Sequence, residues 1–174
     1  MCKLLEITPT PWMVYMATPQ DIYEMTTLAS YSLVVEHDIA TVDLPYLAWN
    51  IDKAITNQRH NLASEQILVA RDKSTNEMRG WAWISRGGKM IWTQDEYCES
   101  RMLEIDQQLP LKQRMMMAAQ IINYWLLWAQ GCEIPYIINT TIRPEQRGFL
   151  RLHEKLGFKI RGSYAYKQLN KEQQ

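Results

Sequence analysis

The chain has 174 residues, 47% of them hydrophobic and 22% charged, which is the composition of one folded domain with a core and excludes a disordered chain. Its 19 basic and 19 acidic residues cancel to a formal net charge of zero, which argues against a dedicated nucleic-acid binder. No window reaches the ~18 apolar residues of a membrane span, and MCKLLEITPTPW carries no secretory signal.

Cys2, Cys98 and Cys132 are scattered, and so are His37, His60 and His153. Neither set has metal-ligand spacing, and the cysteines fit a reducing, cytoplasmic setting. Ten methionines and seven tryptophans are many for this length. They supply core packing or an interaction surface, with Trp92, Tyr97, Trp125 and Trp128 as candidates for the latter, and Trp125 and Trp128 equally placed to form the core face of a helix.

In chain order, Trp12 to Thr18 reads as a first strand. Thr18, Pro19 and Asp21 then open a helix, with the cap at Thr18 and proline in the first turn. Ile22, Met25, Leu28 and Ala29 recur at helical spacing. A second helix is predicted over Leu44 to Asn57, capped by Asp43. Gln66 to Asp72 and Met78 to Ser85 form a hairpin around DKSTNE, with Trp81 and Trp83 on one face. Gly87-Gly88 signals another turn, after which KMIWTQ pairs back as a further strand. Arg101 to Leu109 is a strand ending at Pro110. A long amphipathic helix follows from Leu111 to Ala129, stopped by Gly131. Tyr136 to Ile142 is a buried-type strand, and PEQRGFLRLHEKLGF holds a short helix ended by Gly157. FKIRG and SYAYKQL close the chain as a hairpin. The order predicts a single α/β domain over residues 1–174, with a mixed central sheet and helices on both faces.

Three segments resemble the GNAT family of N-acetyltransferases: the opening YMATPQDIYEMTTLA, the close FLRLHEKLGFKIRGSY, and PLKQRMMMA between them. The family shows Pro-x-x-[Gln/Arg]-x-x-Gly-x-[Gly/Ala] at the centre. Pro110, Gln113 and Ala118 match, and Met116 stands at the glycine. The resemblance implies that acetyl-CoA binds through Leu109, Gln113, Arg114, Met115, Met116, Met117 and Ala118. In the family the backbone N–H groups there, at a helix start, hold the coenzyme's diphosphate. Glycine allows close approach, and methionine puts a side chain in that path. Lys112 and Arg114 add positive charge. Three successive helical methionines span too much of the circumference to share one buried stripe, so at least one points away from the core.

The resemblance further implies that the pantetheine arm lies between the strand before Pro110 and the strand beginning at Tyr136, near Asn139 and Thr140. Glu104 is the implied general base, with Asp106 two residues on as its partner on the same side. The alternative for both is a solvated strand face. His153 stands where the family has a tyrosine acid, four residues before Gly157. It is either the proton donor or an ordinary position on the exposed side of a short helix. Tyr164 and Tyr166 are other possible donors. Gln146 takes the place of an asparagine that contacts the coenzyme.

Two functions follow. One is an acetyl-CoA-dependent N-acetyltransferase acting on a small-molecule or protein amine in the cytoplasm. The other is a catalytically degenerate GNAT-like protein, phage-type, that binds a protein partner or its own copies as a structural subunit, for example of a virion. The basic run Arg143, Arg147, Arg151, Lys155, Lys159 and Arg161 is interrupted by Glu145 and Glu154 and reads as a solvated face, so no nucleic-acid partner is expected.

Overall fold

The β2 segment Ile67-Leu68-Val69-Ala70 is apolar at every position, which suits a strand covered on both faces, and the computed structural model of the protein shows that arrangement. The structure describes residues 10–36, 42–89, 91, 93–140 and 147–160. Five strands form one sheet in the order β1 (Trp12–Met16), β2 (Glu65–Asp72), β3 (Met78–Lys89), β4 (Glu96–Ile105) and β5 (Tyr136–Ile138). The first four are antiparallel neighbours, and β4 and β5 are parallel, joined by a helical crossover.

On one face lie α1 (Ile22–Glu36) and α2 (Leu44–His60). Met25, Ala29, Ile51 and Ile55 pack there on Ile67, Val69 and Trp81. On the other face lie α3 (Leu111–Gly131) and α4 (Arg147–Lys155), whose Met117, Ile121, Trp125 and Leu152 cover Leu68, Ala70, Ala82, Ile84 and Ile105. The mixed sheet with helices on both faces is the fold class read from the sequence. Among the described residues no helix is long and apolar enough to cross a membrane.

Local chemistry explains the boundaries. A 3-10 turn at Pro19–Asp21 leads into α1, and the Thr18 amide and hydroxyl both donate to Asp21 Oδ2, at 2.9 and 2.8 Å. Asp43 caps α2 by accepting from the Tyr46 amide at 2.9 Å. In the β2–β3 turn Asp72 Oδ1 accepts from the Ser74 and Thr75 amides, and Asn76 takes a positive φ of 60°. Ile67 lies past the end of β1 in register, and its amide donates to the buried side chain of Gln58 instead.

Two sequence expectations need correction. Gly87-Gly88 is a bulge inside β3, not a turn: Gly87 has a φ of 118°, and pairing with β4 resumes at Gly88 opposite Tyr97. A side chain at position 88 would collide with the Tyr97 ring. Consequently KMIWTQ adds no extra strand among the described residues. Lys89 ends β3, Ile91, Thr93 and Gln94 lie in the connection, Met90 and Trp92 fall outside the described residues, and β4 begins at Glu96, five residues before the expected start. At the other end, Phe158–Ile160 is not strand, and the rest of the expected last hairpin lies outside the described residues.

The tryptophans divide. Trp12, Trp81 and Trp125 are buried, Trp128 donates to the Leu62 carbonyl at 2.7 Å, and Tyr97 packs over Gly88. An exposed aromatic pair that the sequence did not single out lies on α2, where Tyr46 stacks on Trp49 with Lys53 over the Trp49 ring.

Candidate functional site

Register decides the environment of Glu104. It sits opposite Trp81, and Met102 opposite Trp83, so both face α1 and α2, whereas Leu103 and Ile105 face α3. Glu104 is therefore buried, at 3% exposure, and the solvated-face alternative fails. The Ser32 hydroxyl, on α1, donates to Glu104 Oε2. A carboxylate at this depth is tolerated only with such partners.

Ser32 is itself buried and lines a cleft of about 330 Å³ between α1 and the turn after β4. Tyr23, Leu28 and Tyr31 form one wall, and Asp106 and Gln108 belong to the other. Ser32 was missed in the sequence. Its signal was available: it continues the spacing of Met25 and Ala29, so a hydroxyl falls in an otherwise apolar buried stripe.

Asp106 lies one residue past the end of the strand that carries Glu104. β4 ends at Ile105, so the two-residue repeat stops there. The Asp106 carboxylate instead meets Arg79 at 2.7 Å and accepts from the Gln108 amide at 2.9 Å, shaping the turn. This partnership holds the Arg79 guanidinium firmly charged, above its usual range.

Beyond that turn, the expected phosphate cradle is regular helix. α3 starts at Leu111, directly after Pro110, and runs unbroken through Met115, Met116, Met117 and Ala118. The amides of those four residues belong to the helical ladder and are not free to hold an anion. Leu, Lys, Gln, Arg, Met and Ala are all strong helix formers, and no glycine interrupts them. Met117 is fully buried, Ala118 nearly so, and Met115 packs on the α3-side core. Met116 is half-buried and joins neither core, which makes it the methionine pointing elsewhere. Leu109 packs on the same core. The Gln113 and Arg114 amides both donate to the Pro110 carbonyl, at 2.8 and 3.0 Å, and Arg114 Nη1 donates to the Gln107 side chain.

Among the described residues β4 and β5 are not seen as diverging strands, because β5 is three residues long and pairs with β4 throughout. Pairing runs from Tyr97–Tyr136 to Glu99–Ile138 and stops. Asn139 and Thr140 are not strand, and only the Thr140 amide reaches back, to Ser100 Oγ at 3.4 Å. From Ser100 to Ile105 the β4 edge away from β3 has no strand partner among the described residues.

His153 is neither exposed nor free. It is 3% exposed, with its ring 4.1 Å from that of Phe149 and 4.8 Å from that of Phe158, so the reading as an exposed helix position fails. Burial pushes its pKa down, against a smaller upward pull from the Phe149 carbonyl, and the ring is neutral at pH 7. Nδ1 lies 2.8 Å from the Phe149 carbonyl and Nε2 lies 2.8 Å from Asn139 Nδ2. Gln146, Tyr164 and Tyr166 lie outside the described residues. Arg147, Arg151 and Lys155 are exposed, in keeping with a solvated face on α4.

Among the described residues no group of histidine, cysteine and carboxylate side chains could hold a metal ion. No protein-family model matches the chain, and a search by sequence among curated proteins finds no relative. Solved structures do match it. The chain is similar to a probable acetyltransferase, with TM-score 0.67, 9% identity, and coverage of 93% of this chain and 99% of that one. It is similar to glucosamine-6-phosphate N-acetyltransferase from Arabidopsis thaliana, with TM-score 0.65, 10% identity, and coverage of 91% and 99%. It is also similar to a predicted acetyltransferase from Clostridium acetobutylicum solved with acetyl-CoA, with TM-score 0.67, 13% identity, and coverage of 91% and 96%.

Proposed function

We propose that this chain, which has the GNAT acetyltransferase fold, is an N-acetyltransferase that uses acetyl-CoA to acetylate an amine of a small molecule or protein in the cytoplasm. The observation that carries the reading is the open β4 edge beyond Glu99, near a cleft lined by Ser32, whose hydroxyl donates to a buried carboxylate. A free strand edge offers N–H and C=O groups to an extended, amide-bearing chain, which fits a pantetheine arm. The diphosphate fits less well where the family would hold it, because the 115–118 amides are already bonded within α3. The Leu111 and Lys112 amides, ahead of the ladder, and the exposed Lys112 ammonium are the groups that would take its charge.

Acetyl-CoA supplies the thioester. The chain must position an amine and remove its proton. An amine in the cleft meets Ser32 Oγ, which already donates to Glu104 Oε2. A proton leaving the amine passes to Ser32 Oγ as the Ser32 proton passes to Glu104, so Glu104 is the base and Ser32 its relay. Tyr23 and Tyr31 offer aromatic surface to the acceptor. His153 has no part in this transfer, because its Nδ1 proton is bound to a carbonyl inside the core.

Calorimetry with acetyl-CoA on wild type and Met116→Gly tests the reading. Binding by wild type supports it, and the absence of heat at millimolar ligand with either protein overturns it. A second reading is favoured by the uninterrupted helix through Met116 and by the exposed Tyr46–Trp49 pair. It takes the protein as a degenerate member of the fold that binds a protein partner or its own copies, as a phage virion subunit would. Binding restored only in Met116→Gly, together with a stable complex or oligomer in sedimentation, supports that reading.

A further inference from the structure

The cleft beside α1 has two chemically distinct ends. Glu24, Leu28 and Ser32 fall four residues apart, on one stripe of α1, and all three line the cleft of about 330 Å³. At the helical rise that stripe is ~12 Å long. The opposite wall runs the same way. Glu104, which accepts from Ser32, sits opposite Trp81 in register, and Ile105 sits opposite Gly80. The Asp106 amide then bonds the Arg79 carbonyl, and Arg71 pairs with Met78. The inner end therefore carries buried Ser32 with Glu104 behind it. The outer end gathers Glu24, Met78 and Asp106.

Charge separates what this space accepts from what it rejects. Among the residues that line it, Glu24 and Asp106 are the charged ones, and none is lysine, arginine or histidine. Three guanidinium groups lie behind the walls. Arg71 is held by Asp21 and Glu24, Arg79 by Glu77 and Asp106, and Arg114 by the Gln107 side chain. Those three positive charges meet four carboxylates, with Glu104 in addition at the inner end. A carboxylate or phosphate on an occupant would find no cation on the lining, whereas an ammonium finds acceptors at both ends. Between the ends the surface is apolar, from Leu28, Met78 and Ile105. On the α1 side Tyr23 and Tyr31 are 79% and 58% exposed, and their ring faces attract cations.

We propose that the cleft takes a linear polyamine, with one terminal amine at Ser32, its methylene chain along Leu28, Met78 and Ile105, and a second ammonium between Glu24 and Asp106. This names the amine of the proposed acetyltransferase. The acceptor role rests on that reading, and the binding does not. In the transfer the terminal nitrogen, having lost one proton to solvent, forms a bond to the acetyl carbon as the carbon–sulfur bond of acetyl-CoA breaks. Its second proton passes through Ser32 to Glu104, and coenzyme A leaves as the thiolate.

The test is calorimetry, without acetyl-CoA, using spermidine and using octylamine, a chain of similar length with one ammonium. Wild type should bind spermidine more tightly. Glu24→Gln should weaken spermidine about fivefold and leave octylamine within about twofold, as expected for one partly exposed charge. Thr27→Lys, which adds a cation at an exposed position on the lining, should weaken spermidine at least as much. Added salt should weaken spermidine and spare octylamine in the wild type, a reading independent of any variant's folding. Equal affinity for the two amines, or spermidine binding unmoved by both Glu24→Gln and salt, overturns this inference alone, since acetyl-CoA binding is measured separately. Spermidine that binds as expected but is not acetylated when acetyl-CoA is supplied supports the site and overturns its role as the acceptor site.

Discussion

Replacing Arg71 by methionine should destabilise the fold by several kcal/mol at pH 7, and by less in acid. Arg71 on β2 is 11% exposed and ties the sheet to the start of α1. Its Nε donates to Tyr15 Oη at 2.6 Å, Nη1 to Glu24 Oε2 at 3.0 Å and to the Asn76 carbonyl at 2.9 Å, and Nη2 to Asp21 Oδ1 at 2.9 Å and Glu24 Oε1 at 2.7 Å. Glu24 is 44% exposed, so its share is small once solvent screens it. Asp21, at 5%, decides the magnitude. Removing one partner of a buried pair typically costs about 3–5 kcal/mol, and the Thr18 and Tyr15 bonds that Asp21 retains place this site near ~3 kcal/mol. For a chain of this size that lowers Tm by about 6–12 °C. Burial pushes the Asp21 pKa up, but the bonds from Arg71, Thr18 and Tyr15 together outweigh it and hold the carboxyl below its usual range. A depressed pKa contributes stability that is present above the unfolded carboxylate range and is lost as pH falls through the folded value. Without Arg71 the burial effect gains, the folded pKa rises, and the variant's deficit shrinks as Asp21 takes up a proton. Urea denaturation of both proteins at pH 7 and pH 3.5 measures this. A deficit under about 1 kcal/mol at pH 7, or an equal deficit at both pH values, would refute the assignment of Asp21 as the cause.

Further outcomes follow from the same geometry. Gly80→Ala places a Cβ 2.6 Å from Met117 Sδ and 3.0 Å from the Glu104 carbonyl, so it should cost about 1–3 kcal/mol; in a double-mutant cycle, Met117→Ala should make that substitution cheaper, and strict additivity would show that the α3 contact is not the cause. Burial pushes the Cys98 thiol up to about 11, so in a Cys2→Ser background Cys132 should react with a disulfide reagent at pH 8 while Cys98 reacts only on unfolding; two equally fast thiols would contradict its burial. If the chain is an acetyltransferase, Glu104→Gln should lower kcat/KM by about 10²–10⁴ with acetyl-CoA affinity retained, and Ser32→Ala should lower it by less. Loss of affinity with unchanged turnover would remove Glu104 from the role of base.

Local signals in the chain were strong enough to place most of the elements. The caps at Thr18 and Asp43, the apolar spacing of α1, α2 and α3, and the tryptophans alternating in β3 all lead to the observed helices and strands. They work because each depends on neighbours within a few residues. Gly87-Gly88 misled for the same reason: a glycine pair reads as a turn, and only the Tyr97 ring across the strand pair makes it a bulge. The surroundings of the candidate site residues were not legible in the sequence. Glu104 was identified as a candidate base, yet its burial depends on register against Trp81 and on Ser32, 72 residues away.

Composition and periodicity by themselves determined an α/β domain of strands and amphipathic helices, because burying apolar surface on both faces of a sheet leaves few arrangements for such an order of elements. Tertiary structure alone decided what the polar residues do. Whether Glu104 is solvated or buried, and which carboxylates meet Arg71, depend on partners far along the chain, at Ser32, Asp21 and Glu24. A side chain's type is written in the sequence, but its protonation, its partner and its exposure arise only where distant segments meet.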